Sequence, residues 1–277
     1  MEKLFNKYNI DLSEEKRLLF HNYYNDIIEK NKVMDLTTIT EEQQVYIKHF
    51  IDSLLPLKNI KDNSKVLDVG AGAGFPGIPL KIMNESLNIV LLDSLNKRIN
   101  FLNEEIEKLK LNKISAVHSR VEDYAKVSRE TFDYVVSRAV AKLNILCEYC
   151  LPLVKKGGMF IAYKSEGAEE EINEAKNAIR ILGGKIEKVE NINLEGNTRN
   201  LIYIKKINET PKKYPRGQNK PRLQPIIWRI AKRLFFVFII VEKSLHLYVL
   251  IRVLVNKIFL IYNYDLFKLL IASVYTL

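Results

Sequence analysis

Cysteine is nearly absent from this sequence: Cys147 and Cys150 are the only two among 277 residues, and only four histidines accompany them. Without a second Cys pair or a His cluster a zinc site has no donor set, so no metal is expected. The CxxC lies in the apolar run LNILCEYCLPLV, which reads as helix, and both thiols are expected as small core residues rather than a redox pair. Long charge-free apolar runs are missing too. The most hydrophobic stretch, Leu234 to Val241, stops at Glu242, well short of the roughly 18 to 20 residues that cross a bilayer. The opening residues mix polar and charged types, so no signal peptide is expected and a reducing cytoplasm is the expected location.

What is present is a soluble-domain composition, 47% hydrophobic and 27% charged, with a formal net charge of +10. That suits one medium-sized domain with appendages and points to a polyanionic partner or anionic surface. The chain is organised around KVLDVGAGAGFPGIPL, Lys65 to Leu80. A short strand (Val66, Leu67, Val69) runs into Gly70, Gly72, Gly74 and Gly77, followed by a helix from about Ile78. Such a turn brings a ligand against bare backbone. Two ligands compete for it. Gly72, Gly74 and Gly77 meet the GxGxxG spacing of a dinucleotide site, as in an NAD(P)-dependent oxidoreductase. Asp68 with Gly70, Gly72 and Gly74 meets the DxGxGxG spacing of an S-adenosylmethionine (SAM) site. A pyrophosphate wants free helix amides and no carboxylate nearby. Asp68 therefore favours cationic SAM, and Pro76 and Pro79 each remove an amide donor.

Before this turn, residues 13 to 32 read as a helix capped by Ser13, with Leu18, Leu19, Tyr23, Ile27 and Ile28 at helical spacing. A second helix is expected from Thr40, and His49 among its apolar positions reads as structural. After the turn, strands (89–92, 114–118, 132–137, 159–163) alternate with helical runs, a Gly157–Gly158 turn preceding the fifth strand and a helix spanning 168–182. Two strand-like runs, 186–194 and 201–207, close the pattern as a hairpin. The expected fold class is α/β: a Rossmann-like SAM-dependent methyltransferase fold, a seven-stranded mostly parallel sheet with helices on both faces.

Ligands bind such sheets at the carboxyl ends of the strands. Asp93 ends the second strand, where a carboxylate can accept both ribose hydroxyls or else cap the following helix. Val121 and Glu122 follow the third strand, suited to an adenine face and edge. Ser137 and Arg138 end the fourth, where the acceptor belongs; the chain reads SRAVAK there, with no NPPY-like stretch for exocyclic amines. No cysteine nucleophile is placed for pyrimidine-carbon methylation either.

The segments DVGAGAGFPGIPL, DSLNKRINFL, SRVEDY and VVSRAVAKL, with NKVMDLTTI and HFIDSLLPL near the start, together resemble the RsmG (GidB) family of bacterial 16S rRNA guanine-N7 methyltransferases, over about residues 1 to 224. The resemblance implies transfer of a methyl group from SAM to N7 of one guanine in the 16S rRNA of the small ribosomal subunit or its precursor. It places SAM contacts on Gly70, Phe75, Val121, Glu122 and Arg138. Guanine N7 has an in-plane lone pair and no proton to lose, so no catalytic base is expected and positioning does the work. Arg138 is the candidate orienting residue, holding the cofactor carboxylate or the guanine; the bland alternative is an ion pair to Asp68 or Glu122.

Lys97, Arg98, Lys164 and the stretch TPKKYPRGQNKPR, Thr210 to Arg222, are the expected RNA contacts, the last as an arm too polar to fold alone, lying along phosphates or serving only as a solvated linker. The expected organisation is a helical flank (1–60), a SAM-binding core (61–208), a basic arm (209–225) and an atypical tail (226–277). The tail is apolar, carries seven Lys or Arg against two acids, and departs from the family pattern. A basic interfacial helix or a non-native extension is expected there, and no function is assigned to it. The protein is expected to be a monomer with no stable membrane partner.

Overall fold

A computed structural model describes residues 1–138 and 141–227, within the first of two compact units, Met1–Ile227 and Trp228–Leu277. The expectations for the tail from Trp228 onward, and for Ala139 and Val140 of the SRAVAK stretch, lie outside the described residues. The strands are β1 (Lys65–Val69), β2 (Asn88–Asp93), β3 (Ile114–His118), β4 (Phe132–Ser137), β5 (Val154–Lys164), β6 (Gly184–Leu194) and β7 (Asn197–Lys206). They form one seven-stranded sheet in the order β3-β2-β1-β4-β5-β7-β6. β1 to β5 are mutually parallel, and β7 inserts antiparallel between β5 and β6.

The helices are α1 (Glu2–Asn6), α2 (Glu14–Asn31), α3 (Glu42–Val45), α4 (Asp52–Leu54), α5 (Gly77–Met83), α6 (Asn96–Lys108), α7 (Val121–Val127), α8 (Leu143–Cys150), α9 (Ala168–Ile181) and α10 (Lys220–Leu223). Side-chain alternation along the strands supplies two cores. Val66, Ile89 and Leu91 join Tyr23 of α2, Ile78 of α5 and Phe101 of α6 on one face. Leu67, Val90 and Leu92 join Leu146 and Cys147 of α8 and Ala175 of α9 on the other. Both cysteines are free and buried, as the apolar run implied.

Ser13 caps α2 as expected, its hydroxyl accepting from the Lys16 amide. Leu18, assigned to the apolar stripe of this helix, is instead 59% exposed, because Phe20, Tyr23 and Ile27 define the buried face. The helix expected from Thr40 starts at Glu42. Glu41 wins the cap because its carboxylate accepts from the amides of both Gln43 and Gln44. This helix runs through a π-helical turn, Tyr46–Ile51, into α4. The Gly157–Gly158 turn is an irregularity within a longer β5: pairing steps from Phe132↔Val154 to Tyr134↔Met159. A Cβ on Gly158 would sit 2.6 Å from the Asp133 carbonyl, so this approach requires glycine.

The basic arm is no free coil. Arg129 donates to the carbonyls of Thr210, Pro211 and Tyr214, while Lys206, fully buried, donates to Leu151 O and Thr210 Oγ1. Arg216 grips the buried Glu148 through Nε (2.8 Å) and Nη2 (2.6 Å). The arm is thus strapped to the domain, and α10 ends it against α8.

One buried group sets a pH dependence. Glu105 on α6 is 1% exposed, with Oε2 unpartnered among the described residues. Burial first, then the neighbouring Asp26 carboxylate of α2, push its pKa up to about 8, against a smaller opposing pull from Lys108. A carboxyl raised on folding binds more protons in the folded state, so its contribution is present at acid pH and lost as pH rises toward 8. Glu105→Gln is expected to raise Tm relative to the parent at pH 9 and to change it little at pH 5. Thermal unfolding at both pH values checks this; an equal shift at both would remove the assigned cause.

Candidate methyl-donor site

The turn after β1 is stapled to the end of β2. Gly70 and Ala71 donate their amides to Leu92 O at 2.8 and 3.1 Å, with Gly70 at φ +76°. Gly72, at φ +61°, donates to Asp93 Oδ2 at 2.9 Å. Positive φ is what demands glycine at 72, since a Cβ there would meet nothing nearer than 3.9 Å. At Gly77 the demand is space: a Cβ would lie 2.2 Å from Leu91 Cδ2 and 3.0 Å from Asp68 Oδ2.

Asp68 is fully buried beneath this turn. Its Oδ2 accepts from the Gly77 amide at 2.8 Å, and its Oδ1 has no hydrogen-bond partner among the described residues. Two consequences follow for the ligand. The amide that opens α5 is occupied, Ile78 donates to Gly74 O, and Pro79 has no amide, so the helix start offers no cradle for a pyrophosphate. The oxidoreductase alternative therefore loses its anchoring contact. An orphaned buried carboxylate oxygen, by contrast, fits a ligand that carries positive charge, acting through its field because the side chain is not exposed.

Asp93, 4% exposed, accepts from backbone on both sides of the turn. Oδ1 accepts from the Leu95 amide ahead of α6, while Oδ2 accepts from Gly72 and from Arg98 Nη1 at 3.3 Å. Three of roughly four carboxylate acceptor positions are thus taken. One acceptor position remains, and a ribose diol that needed two would have to displace Arg98, the longest contact. Glu122 is buried in the first turn of α7 beside half-buried Val121, and Arg120 holds its Oε1 through Nε (3.2 Å) and Nη2 (3.1 Å).

Arg138 pairs with neither Asp68 nor Glu122. Its Nη1 donates to Asp52 Oδ2 at 3.0 Å and to Lys48 O at 3.1 Å, because the π-helical turn and α4 bring these acceptors over the end of β4. The guanidinium lies 4.9 Å from the Phe75 ring centroid. His49, set aside on sequence grounds, stacks on the same ring at 4.7 Å. Its Nε2 contacts Thr37 Oγ1 at 2.7 Å and its Nδ1 lies 3.4 Å from Arg138 Nη2. Burial, then Arg138, push the imidazole pKa down to about 3, so the ring is neutral at physiological pH. The structure thus groups Gly70, Gly72, Phe75, Asp93 and Arg138 around the turn, with His49, set aside on sequence grounds, and Asp52, which sequence reasoning missed, beside Arg138. The one available signal was the i, i+3 spacing of His49 and Asp52, which shares a helix face.

A family model described as rRNA small subunit methyltransferase G matches residues 16–209. The ribosomal RNA small subunit methyltransferase G of Lactobacillus acidophilus is 50% identical over 228 residues, covering 79% of this chain and 95% of that protein. Its counterpart from Lachnoclostridium phytofermentans is 52% identical over 224 residues, covering 79% and 93%. Among solved structures, M. jannaschii TYW2 in complex with AdoMet aligns at 17% identity and a TM-score of 0.49, covering 63% of this chain and 81% of that one.

The charge at Asp68 generates a linkage. Burial raises its pKa to about 7, opposed by the Gly77 hydrogen bond and Arg138 and augmented by Asp93. A cationic ligand favours the ionised form, so SAM affinity is expected to rise with pH between 6 and 8, severalfold over that range. Calorimetric titration across these pH values checks it, and Asp68→Asn is expected to flatten the profile; a flat profile in the parent protein would mean the carboxylate is not felt by the ligand.

Proposed function

The chain belongs to the rRNA small subunit methyltransferase G family, and from that membership we propose that it methylates N7 of one guanine in 16S rRNA, using SAM. The observation that carries the donor assignment is the buried Asp68: one oxygen seals the helix start against a phosphate, and the other has no hydrogen-bond partner among the described residues. When bound, SAM supplies an electrophilic methyl group on a sulfonium. The turn at Gly70 and Gly72 gives the donor a backbone wall to lie against, and Asp93 offers an acceptor for ribose. Val121 and Glu122 lie where an adenine face and edge would be met, and Phe75 closes the side toward His49 and Arg138. No residue is assigned as a base, since N7 has no proton to surrender, so the task of this chain is to hold the acceptor in line. Arg138, fixed by Asp52 and two carbonyls, orients rather than transfers protons.

For the partner, the reading is the 16S rRNA of the small ribosomal subunit or its precursor, with the protein monomeric and cytoplasmic. Among the described residues no helix is long and apolar enough to cross a membrane. Three of the expected RNA contacts are corrected by their partners. Lys164 is buried and paired with Glu171 at 2.6 Å, Arg216 is committed to Glu148, and Arg98 is paired with Asp93 at 3.3 Å. Lys97, Lys212, Lys213, Lys220 and Arg222 are exposed and remain as phosphate contacts, four of them on the strap.

Mapping N7-methylated guanines in 16S rRNA from cells with and without the gene tests the function. One guanine is expected to lose its methyl group on deletion and regain it on complementation; an unchanged map would overturn the reading. Changing Lys212, Lys213, Lys220 and Arg222 together to Gln is expected to lower the slope of log K against log salt for rRNA binding by about three, at roughly 0.7 per single-strand contact. An unaltered slope would remove the strap from the interface.

A further inference from the structure

Beside the cofactor turn lies a buried charge cluster to which methyl transfer as derived above assigns only part of a task. Asp52 is fully buried at the start of α4. Its Oδ2 receives Arg138 Nη1 at 3.0 Å, and its Oδ1 lies 3.0 Å from Nε of Arg199. Among the described residues neither arginine has another ion pair within 4.0 Å, so one carboxylate stands between two guanidiniums and the cluster carries a net charge of +1. The contact with Arg199 is also unfinished. Neither Asp52 Oδ1 nor Arg199 Nε finds a hydrogen bond of good alignment, although both atoms are buried.

Topology explains why these groups meet at this edge. β7 runs antiparallel, so its first residues lie at the carboxyl ends of the parallel strands, with Asn200 opposite Lys164 at the end of β5. Arg199 therefore shares the edge at which Ser137 and Arg138 end β4. Its side chain is 27% exposed and that of Arg138 17%, so the cluster opens toward solvent on the side of its positive charges while the carboxylate lies beneath them. Asp52 meets Arg199 through Nε, and neither Nη1 nor Nη2 makes a hydrogen bond among the described residues, which leaves the Nη1–Nη2 edge, the fork that receives two oxygens of one oxyanion.

We propose that Arg199 and Arg138, set in place by Asp52, form a subsite for one phosphate of the RNA strand that presents the acceptor base. Arg199 is the phosphate contact and Asp52 a positioning residue. The subsite rests on the reading of the protein as an RNA methyltransferase and adds to it the element that registers the strand: a phosphate fixed at the sheet edge holds the attached nucleotide at a set distance from the donor turn. The same oxyanion chemistry is found in the carboxylate of SAM, and the two sources separate by experiment.

Binding of the full-length protein to isolated small ribosomal subunits lacking the modification is measured against salt, alongside calorimetric SAM affinity and thermal unfolding, for the parent, Arg199→Gln and Arg199→Lys. Arg199→Gln is expected to weaken subunit binding about tenfold and to reduce the salt slope by about 0.7 to 0.9, with SAM affinity within about twofold of the parent. Arg199→Lys keeps the charge and loses the fork, so binding is expected to weaken severalfold with the slope retained. If Arg199→Gln does not fold, Arg199→Lys decides: parent-like binding to subunits overturns the subsite. Loss of SAM affinity with unchanged subunit binding assigns the anion to the cofactor and also overturns it. Because binding is read independently of methyl transfer, a parent protein that bound subunits but methylated no guanine would overturn the function proposed above and leave the subsite standing on its own result.

Discussion

The short contact between Asp68 and the Gly77 amide is the constraint from which the rest of the site is laid out. At this point a strand must end, reverse and become a helix within a few residues, and the helix must come close enough that Leu91 and Asp68 leave no room for a side chain at 77. Closing that gap fixes where α5 starts, and with it the course of the four glycine-containing residues above. Those residues then reach the end of β2 through Leu92 and Asp93, so two strand ends and one helix start are tied into a single rigid lip. A second oxygen of the same carboxylate has no hydrogen-bond partner among the described residues, which is costly in a folded protein.

Around this lip the surroundings are asymmetric. On the side of α7 and the strap, the acids are paired, Glu122 with Arg120, Glu148 with Arg216 and Glu130 with Lys206, while Lys212, Lys213, Lys220 and Arg222 stay exposed. On the side of α4, the balance is broken in favour of the guanidiniums, with Phe75 and a neutral His49 forming an uncharged wall between them and the turn.

The parts of the molecule legible in the sequence were those governed by local pattern. β3 and β4 run from Ile114 to His118 and from Phe132 to Ser137 as their apolar runs imply, and Ser13 caps α2, because strand burial and capping depend on neighbours in the chain. The turn itself was legible for the same reason. What escaped depended on distant partners. Arg138, for which an ion pair to Asp68 or Glu122 was the alternative, faces Asp52 because of the π-helical turn, which no periodicity announces. Arg199 gave no sign of belonging to the site, since only the antiparallel insertion of β7 carries it there. The arm looked too polar to fold, and composition alone could not reveal Glu148 buried beneath it or Arg129 beside it.

The placement of β7 has a consequence for synthesis on the ribosome. Because this strand lies between β5 and β6, β6 has no hydrogen-bonded place in the sheet until the chain after it has emerged and paired. The last two strands must join as a unit, and Asp52, made early, waits through most of translation for the arginine that arrives with that hairpin. A nascent chain can therefore assemble its glycine lip before β7 brings Arg199 to Asp52, so the two edges of the sheet are completed at different stages of synthesis.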